Sequence, residues 1–166
     1  LPPQVLRPDR FQGRLCTPED KREALLDAGI DRVVVVPFDR ATAGMSPEAF
    51  VGGIAAREGL VHLVVGDGFA VGKGGGGDAA RVGEIGRGLG FSVEAVARIA
   101  VGGQEVSSSA IRAAVMGGDV AAARRLLGRP FRVGGVVVHG RKLGRTIGFP
   151  TANVEPPADL APLADG

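Results

Sequence analysis

Between residues 17 and 97 a helix signal and a short apolar run alternate three times, and this order limits the fold more than any other feature. Each predicted helix begins at a capping residue, and two of them have proline at the next position, which favours a first helical turn. Valine-rich runs bounded by turn residues are typical of strands in a parallel sheet. The alternation therefore predicts an α/β domain with a parallel sheet and right-handed crossovers. The predicted helices span residues 17–28, 46–59 and 78–89, and the predicted strands span residues 32–38, 61–66 and 91–97.

No strand precedes the first predicted helix, although an α/β domain of this kind ordinarily begins with one. The first eleven residues hold three prolines, which disfavour a regular strand. We therefore predict that residues 1–11 are irregular and that the leading strand and helix of the domain are absent from this sequence.

The pattern changes after residue 104, where two short helices are followed by a valine-rich, strand-like stretch from Phe131. A boundary near residues 126–130 leaves a second unit of about 40 residues, and units of that size rarely fold alone without a metal or disulfides. We therefore expect the second unit to be incomplete. The two helices are predicted to begin at Ser107–Ser109 and at Asp119 and to end near Met116 and Leu127, and Gly140–Gly144 is predicted to be a turn.

Composition argues against disorder and against a membrane protein. Hydrophobic residues make up 45% of the chain and charged residues 23%. No apolar run approaches the roughly 18 residues that a membrane span needs. Cys16 is the one cysteine in the sequence, so no internal disulfide can form, and no signal-peptide pattern opens the chain. We expect a soluble, cytoplasmic chain with no membrane partner, and we interpret Cys16 as a structural thiol. The oligomeric state is left open.

Basic residues are concentrated between Arg124 and Arg145, where no acidic residue occurs. Such a stretch indicates an anionic partner, although a solvated basic face is an equal alternative. Aromatic side chains that would stack on nucleic-acid bases are missing apart from Phe131, so a phosphorylated small molecule fits as well as a nucleic acid does. The basic residues are Arg124, Arg125, Arg129, Arg132, Arg141, Lys142 and Arg145.

A glycine-rich loop from Gly72 to Gly77 invites two familiar interpretations. It fails the P-loop pattern, because Asp67 stands where glycine is needed and Gly74 follows Lys73 in place of serine or threonine. It matches the dinucleotide-binding pattern through three of its glycines, but the loop after the preceding strand is too long for that fold. We favour a flexible loop that orders over a ligand, with a plain linker and a dinucleotide site as alternatives.

Three serines and an arginine form a more specific motif. Ser107, Ser108 and Ser109 begin a predicted helix, and Arg112 lies one turn further along it. Hydroxyls and unpaired backbone N–H groups at the positive end of a helix suit a phosphate, and an arginine one turn in can point at the same anion. The pattern indicates a phosphate site, although an ordinary serine cap beside a solvated arginine has the same sequence.

The third constellation runs from His139 to Asn153. Its glycines allow the backbone to approach a phosphate, its basic side chains can neutralise one, and the oxygens of Thr151 and Asn153 suit Mg²⁺ that keeps several waters. The stretch therefore indicates phosphoryl transfer. Thr151 and Asn153 are equally acceptable as turn residues, and we interpret His139 and His62 as structural.

Together these motifs resemble the bacterial bifunctional riboflavin kinase and FAD synthetase family. The resemblance covers essentially the whole chain, and the run from Gly148 to Asn153, Gly-Phe-Pro-Thr-Ala-Asn, is highly specific for the kinase half. The segments that carry it are residues 5–10, Phe38, 46–50, 64–66 with Phe69 and Gly72, 106–112, 117–120, 126–131 and 140–153.

The resemblance implies two active sites and two partial domains. Residues 1–126 would form a Rossmann-like nucleotidyltransferase domain that makes FAD and pyrophosphate from FMN and ATP. Residues 127–166 would be the first part of a β-barrel riboflavin kinase that makes FMN from riboflavin and ATP. Both reactions would use Mg²⁺ with ATP, so the implied partners are ATP and flavins, with no nucleic acid.

The family's functional residues carry over position by position. The resemblance implies that Ser109 and Arg112 are the catalytic residues. Gly66 and Phe69 would bind flavin, and Thr151 and Asn153 would hold the metal. The nucleotide would be bound by Ser107, Ser108, Ser109, Arg112, Gly140, Gly144, Arg145, Gly148 and Pro150.

The sequence departs from the family pattern at both sites. The His-x-Gly-His motif of the adenylyltransferase has no counterpart, because the histidines are His62 and His139. Family members have an aspartate, an arginine, a second phenylalanine and a loop arginine where this chain has Gly68, Ala70, Val71 and Gly75. The glutamate that serves the kinase as base also lies beyond the sequence given. We therefore expect little activity from this chain alone. A non-catalytic nucleotide- or flavin-binding module and a nucleic-acid binder using residues 124–145 are the alternatives.

Overall fold

The computed structural model describes residues 2–140, 148–149 and 152–164. The chain forms two compact units: unit 1 comprises Leu1–Phe11 and Val35–Ala100, and unit 2 comprises Gln12–Val34 and Val101–Gly166. None of the helices in the described ranges has the length and apolar character that crossing a membrane requires. In chain order the elements are α1 (Pro2–Leu6), α2 (Pro18–Asp27), α3 (Arg40–Gly44), α4 (Pro47–Glu58), β1 (His62–Gly66), α5 (Ala79–Leu89), β2 (Ser92–Val96), β3 (Ala100–Val101), β4 (Gln104–Glu105), α6 (Ser108–Met116), α7 (Val120–Leu127), β5 (Val136–Val138) and β6 (Asn153–Glu155), with 3₁₀ turns at Pro8–Arg10 and Lys73–Gly75.

The parallel sheet predicted from the sequence is present in unit 1 as a pair of strands. β1 and β2 run parallel with His62 opposite Ser92 and Gly66 opposite Val96. The crossover between them is α5, which begins where the Asp78 carboxylate accepts a hydrogen bond from the Arg81 N–H at 2.8 Å. The α/β class and the parallel arrangement are therefore confirmed.

The core of unit 1 lies where α4, α5 and the start of β2 meet. Val51, Val82 and Phe91 are buried there, and Val82 has no exposed surface. Gly86 on α5 makes the close packing of Phe91 possible, because a Cβ at position 86 would lie 2.7 Å from the Phe91 carbonyl oxygen. Leu63 of β1 and Val93 of β2, which lie opposite each other in the parallel pair, pack against this core.

The strand predicted over residues 32–38 is wrong. The segment is not paired, and Val34, Val35 and Val36 are exposed, Val35 by 76%. Strand formation needs hydrogen bonds from a neighbouring strand as well as β-branched side chains. In the described part of the chain β1 pairs only with β2, and residues 32–38 belong to no sheet.

Unit 2 is built on α6 and α7, which pack side by side through Ile111, Val115, Ala123 and Leu126. α2 begins with the cap predicted from the sequence: the Thr17 hydroxyl accepts from the Asp20 N–H at 3.0 Å, and the Asp20 side chain accepts from the Thr17 N–H. β5 and β6 form an antiparallel pair in which Val138 lies opposite Asn153. The strand-like region after Phe131 is therefore shorter than its sequence predicts.

Three local features were not predicted. The proline-rich entry is helical in α1 and turned at Pro8–Arg10, so the irregular structure expected for residues 1–11 is wrong. α3 begins at Asp39, whose carboxylate accepts a hydrogen bond from the Thr42 N–H, and the signal was present because aspartate is a favoured N-cap residue. β3 and β4 flank Gly102 and Gly103, both with positive φ, a pair typical of two-residue hairpin turns.

Candidate functional site

The serine motif lies at the N-terminus of α6, as its sequence predicts. Ser107 is the N-cap with extended backbone, and its Oγ accepts a hydrogen bond from the Ala110 N–H at 3.2 Å. Ser108 and Ser109 occupy the first helical turn with exposed side chains. Ile111 and Val115 anchor the helix in the core of unit 2, so the start of α6 is held firmly while its hydroxyls face outward.

Arg112 is half-buried and turns back toward the start of its own helix. Its Nε donates a hydrogen bond to the Gly13 carbonyl at 3.0 Å, and a terminal nitrogen donates to the Ser108 carbonyl at 3.3 Å. A guanidinium has five N–H donors, so within the described residues these two bonds leave the fork able to bind an anion as well. The structure therefore brings Arg112 together with the serines, and it adds Gly13 as a partner.

Gly13 is a site residue that sequence analysis missed. Its backbone has φ +88°, and a Cβ there would lie 2.5 Å from the Ala161 nitrogen. The next residue is fixed to the same segment, since Arg14 N–H donates to the Asp159 carbonyl at 2.8 Å and its Nε pairs with the Asp159 carboxylate at 2.9 Å. The one signal in the sequence was the glycine itself, which adopts a positive φ more easily than other residues do. The partners of Gly13 could not be identified from the sequence because they are remote along the chain.

Gly66 and Phe69, predicted to bind flavin, belong to unit 1. Gly66 ends β1, and its carbonyl accepts from the Phe69 N–H at 3.0 Å, which makes a tight turn. The Phe69 ring packs against the cluster of Val51, Val82 and Phe91 and is partly exposed. The ring therefore contributes to the core, and its flavin contact stays a prediction.

The glycine-rich loop after Phe69 is closed on itself. Val71 and Gly77 exchange two backbone hydrogen bonds of 3.0 and 2.9 Å, and the Gly75 N–H bonds to the Gly72 carbonyl at 3.0 Å. Gly72 and Gly77 both lie against Pro47, where a Cβ would come within 2.6 and 2.7 Å of the proline ring. Because these N–H groups are bonded within the loop, the loop does not present them to a phosphate as a dinucleotide fingerprint does.

The third constellation is described only in part. Gly144, Arg145, Pro150 and Thr151 lie outside the described residues. Gly140 lies directly against the Asn153 side chain, so that a Cβ at position 140 would overlap the amide. Gly148 is exposed with φ +81°. Because Gly140 has no side chain, the Asn153 amide has space beside β5.

The remaining candidate groups, His62 and Cys16, have contacts that indicate a structural role. His62 Nδ1 shares a 2.6 Å hydrogen bond with the Ser92 hydroxyl across β1 and β2, and His62 Nε2 lies 3.4 Å from the Glu94 carboxylate. Burial, helped by the nearby Asp20 carboxylate, raises the pKa of the Cys16 thiol, which disfavours the reactive thiolate. No cluster of three or more metal-binding side chains of the His, Cys, Asp and Glu types occurs among the residues that the structure describes.

The basic stretch places four arginines at the end of α7 and after it. Their side chains are exposed, and Arg129 donates to the neighbouring Pro130 carbonyl at 3.5 Å. The last turn of a helix favours cations, because its carbonyl groups carry partial negative charge. The described members of the stretch are Arg124, Arg125, Arg129 and Arg132.

Comparison with known proteins relates both parts of the chain to flavin enzymes. Residues 1–110 match the family model described as FAD synthetase, and residues 127–166 match the one described as riboflavin kinase. The bifunctional riboflavin kinase/FMN adenylyltransferase of Escherichia coli is 37% identical over 163 residues, which are 98% of this chain and 52% of that protein. The protein of the same name from Listeria monocytogenes is 38% identical over 154 residues, covering 92% of this chain and 49% of that protein.

A solved structure has the same fold. A crystal structure described as a macrolide-efflux protein from Streptococcus pneumoniae superposes with a TM-score of 0.87 and 26% identity, over 100% of this chain and 54% of that one. The chain spans about half the length of the curated relatives that it matches. Since the FAD synthetase model matches residues 1–110, well over half of the sequence, the chain belongs to the FAD synthetase family.

Proposed function

We propose that this chain serves FAD biosynthesis, in which riboflavin and ATP give FMN, and FMN and ATP give FAD and pyrophosphate. The observation that carries the proposal is the N-terminus of α6, where Ser108 and Ser109 are exposed and the Arg112 guanidinium donates a hydrogen bond to the Ser108 carbonyl. The matches to FAD synthetase over residues 1–110 and to riboflavin kinase over residues 127–166 support it. On this proposal residues 1–126 belong to a Rossmann-like adenylyltransferase domain, and residues 127–166 are the first part of a β-barrel kinase domain.

Adenylyl transfer needs charge neutralisation at the α-phosphate of ATP. A phosphate oxygen of FMN attacks the α-phosphorus, a new P–O bond forms, and the bond to the bridging oxygen breaks as pyrophosphate leaves. The N-terminal dipole of α6 favours the negative charge that develops, and Ser109 and Arg112 donate hydrogen bonds to it. Ser107 and Ser108 bind the same nucleotide, and the bond from Arg112 to Gly13 aims the guanidinium.

The flavin would bind at the end of β1, beside Gly66 and Phe69. Contact with the core restrains the Phe69 ring, while its partly exposed edge remains available for stacking. Gly66 has open space where a Cβ would stand, so a planar ring system can approach its backbone. The carboxyl ends of parallel strands are also the usual ligand-binding edge of an α/β sheet.

The kinase part would bind ATP through Gly140, Gly144, Arg145, Gly148 and Pro150, with Mg²⁺ at Thr151 and Asn153. The donor types fit, because a hydroxyl and an amide carbonyl are neutral oxygen ligands that leave room for phosphate oxygens and water around Mg²⁺. The Asn153 side chain lies directly against Gly140, where the lack of a Cβ leaves room for the Asn153 amide. Bound with ATP, Mg²⁺ would neutralise phosphate charge.

The two alternatives are less well supported. A non-catalytic binding module and a nucleic-acid binder using residues 124–145 both remain compatible with exposed arginines, but both matched families are flavin enzymes. We therefore propose ATP and flavins as the partners, and a cytoplasmic location for the reaction.

A matched pair of cap variants tests the proposal. Ser107→Ala and Ser46→Ala each remove a hydroxyl that accepts a backbone N–H, at 3.2 and 3.1 Å, so each costs about 1 kcal/mol of stability. Ser107 lies at the proposed nucleotide site, and Ser46 caps α4. Titration calorimetry of the whole chain with Mg-ATP is expected to show binding that Ser107→Ala weakens about tenfold and Ser46→Ala changes less than about twofold.

Two results would count against the proposal. Absence of Mg-ATP binding at millimolar concentration would remove its basis. Equal weakening by the two variants would mean that the serine motif acts only through helix stability. Binding of a DNA or RNA oligonucleotide that is tighter than ATP binding and falls steeply with salt would favour the nucleic-acid alternative.

A further inference from the structure

The carboxyl ends of β1 and β2 lie side by side and carry groups that the assignments above do not use. Beyond the last registered pair of Gly66 and Val96, the Asp67 N–H donates to the Val96 carbonyl at 2.8 Å, so the two chains stay together for one more residue. Asp67 and Gly68 then leave β1, and Arg98 follows β2 two residues later. These residues are in unit 1, at the edge of the parallel strands where α/β proteins bind ligands.

The Arg98 guanidinium reaches across this edge to the turn that follows β1. Its Nε lies 3.8 Å from the Asp67 carboxylate, an ion pair longer than a hydrogen bond. Its terminal nitrogen lies over Gly68, because a Cβ at that position would be 2.6 Å from it. Gly68 has φ +82° as well, so the absence of a side chain there serves both the turn and the approach of the guanidinium.

Both side chains of this pair are exposed to solvent. The Arg98 side chain is 52% exposed and the Asp67 side chain is 71% exposed. The Asp67 carboxylate faces the Nε side of the guanidinium, and the terminal side extends over the turn that leads to Phe69. A guanidinium is planar and binds phosphate oxygens through two parallel N–H groups, which makes it a better phosphate ligand than a point charge.

We propose that Arg98 binds the phosphate of FMN and makes the end of β1 selective for FMN over riboflavin. The inference rests on the proposed function, which puts the flavin ring beside Gly66 and Phe69. FMN differs from riboflavin only by a phosphate, so a cation within reach of this turn is the group that can distinguish them. Asp67 acts as a positioning residue, since it attracts the guanidinium toward the turn when no phosphate is present.

The test compares two flavins on the whole chain. Titration calorimetry with FMN and with riboflavin is performed on the unchanged protein, on Arg98→Gln and on Arg87→Gln, which removes an exposed arginine from the last turn of α5 as the matched control. We expect Arg98→Gln to weaken FMN binding about tenfold, to change riboflavin binding less than about twofold, and to reduce the salt dependence of FMN binding. Arg87→Gln is expected to change neither.

A second variant acts on the guanidinium without removing it. Gly68→Ala puts a methyl group where the terminal nitrogen of Arg98 lies, and it also strains the turn that leads to Phe69, because Gly68 has φ +82°. We therefore expect Gly68→Ala to weaken binding of both flavins and to weaken FMN binding more. Equal losses for both flavins in Arg98→Gln, or no loss for FMN, would overturn the inference and leave the proposed function standing. Failure of the unchanged protein to bind either flavin would overturn both.

Discussion

The Nε of Arg112 donates a hydrogen bond to the backbone carbonyl of Gly13 at 3.0 Å, and this contact joins the start of α6 to the chain just before α2. The residue proposed to neutralise phosphate charge is thus also part of the packing of unit 2. Gly13 in turn lies against Ala161, so the contact extends to the C-terminal part of the unit. On the proposed function, Arg112 therefore contributes both to ligand binding and to stability.

This double contribution predicts that Arg112→Ala lowers both stability and ATP affinity. The lost hydrogen bond has a charged, half-buried donor and an acceptor on buried Gly13, so we expect the free energy of unfolding to fall by about 1.5 to 3 kcal/mol. Arg112→Lys keeps the charge and loses the fork, and we expect it to recover less than half of the ATP affinity. Urea unfolding and titration calorimetry measure the two effects. An Arg112→Lys variant with unchanged ATP affinity would contradict the role assigned to the guanidinium fork.

Gly13→Ala is expected to destabilise unit 2 more than the matched change Gly29→Ala. Both glycines have φ near +90°, so both substitutions carry a backbone strain of about 1 to 2 kcal/mol. A Cβ at Gly13 also overlaps the Ala161 backbone, whereas none lies within 4 Å at Gly29. The overlap adds about 1 to 3 kcal/mol. Equal urea midpoints for the two variants would show that Gly13 is not packed as the structure has it.

Two glycines of α5 give a second matched pair, in which substitution by alanine is expected to change stability in opposite directions. Gly83 has open space for a methyl group, so Gly83→Ala should stabilise the helix by up to about 1 kcal/mol. At Gly86 the new methyl group would meet the Phe91 carbonyl and ring within 3.0 Å, so Gly86→Ala should destabilise unit 1 by about 1 to 3 kcal/mol. Thermal unfolding followed by circular dichroism distinguishes them. Stabilisation by both changes would show that α5 and Phe91 are further apart than described.

The sequence predicts those elements whose signals are local. The Thr17 hydroxyl and the Asp20 N–H are three residues apart, so the cap of α2 can be identified in a short window, and so can the serine motif of α6. The contact of Arg112 with Gly13 joins residues 99 positions apart, and no short window contains both. The Val33–Val36 run shows the same limit, because its composition favours a strand but only a neighbouring strand can complete one. For Phe69, the position in the loop after β1 can be predicted from neighbouring residues. Its contact with the core cannot, because the core residues are remote along the chain.

The Asp39 cap of α3 gives a pH prediction. Backbone and side-chain hydrogen bonds from Thr42 lower the pKa of the Asp39 carboxyl below its ordinary value of 3.8. The Thr42 N–H bond is 2.7 Å long, and the carboxylate accepts it at the positive end of the helix. A depressed folded-state pKa means that the contribution of Asp39 to stability is complete above pH 3.8 and is lost as the pH falls through the lower folded value.

Thr42→Val removes the hydroxyl and keeps the backbone N–H, so we expect the Asp39 pKa to rise part of the way toward its ordinary value. Nuclear magnetic resonance of the carboxyl carbons between pH 2 and pH 6 measures this shift directly. The internal control is Glu48, whose pKa is lowered by its own backbone N–H, by Ser46 and by Arg81 and does not depend on Thr42. An Asp39 titration that is identical with and without the Thr42 hydroxyl would assign the lowering to the backbone bond alone, because that bond is the contribution that the substitution leaves in place.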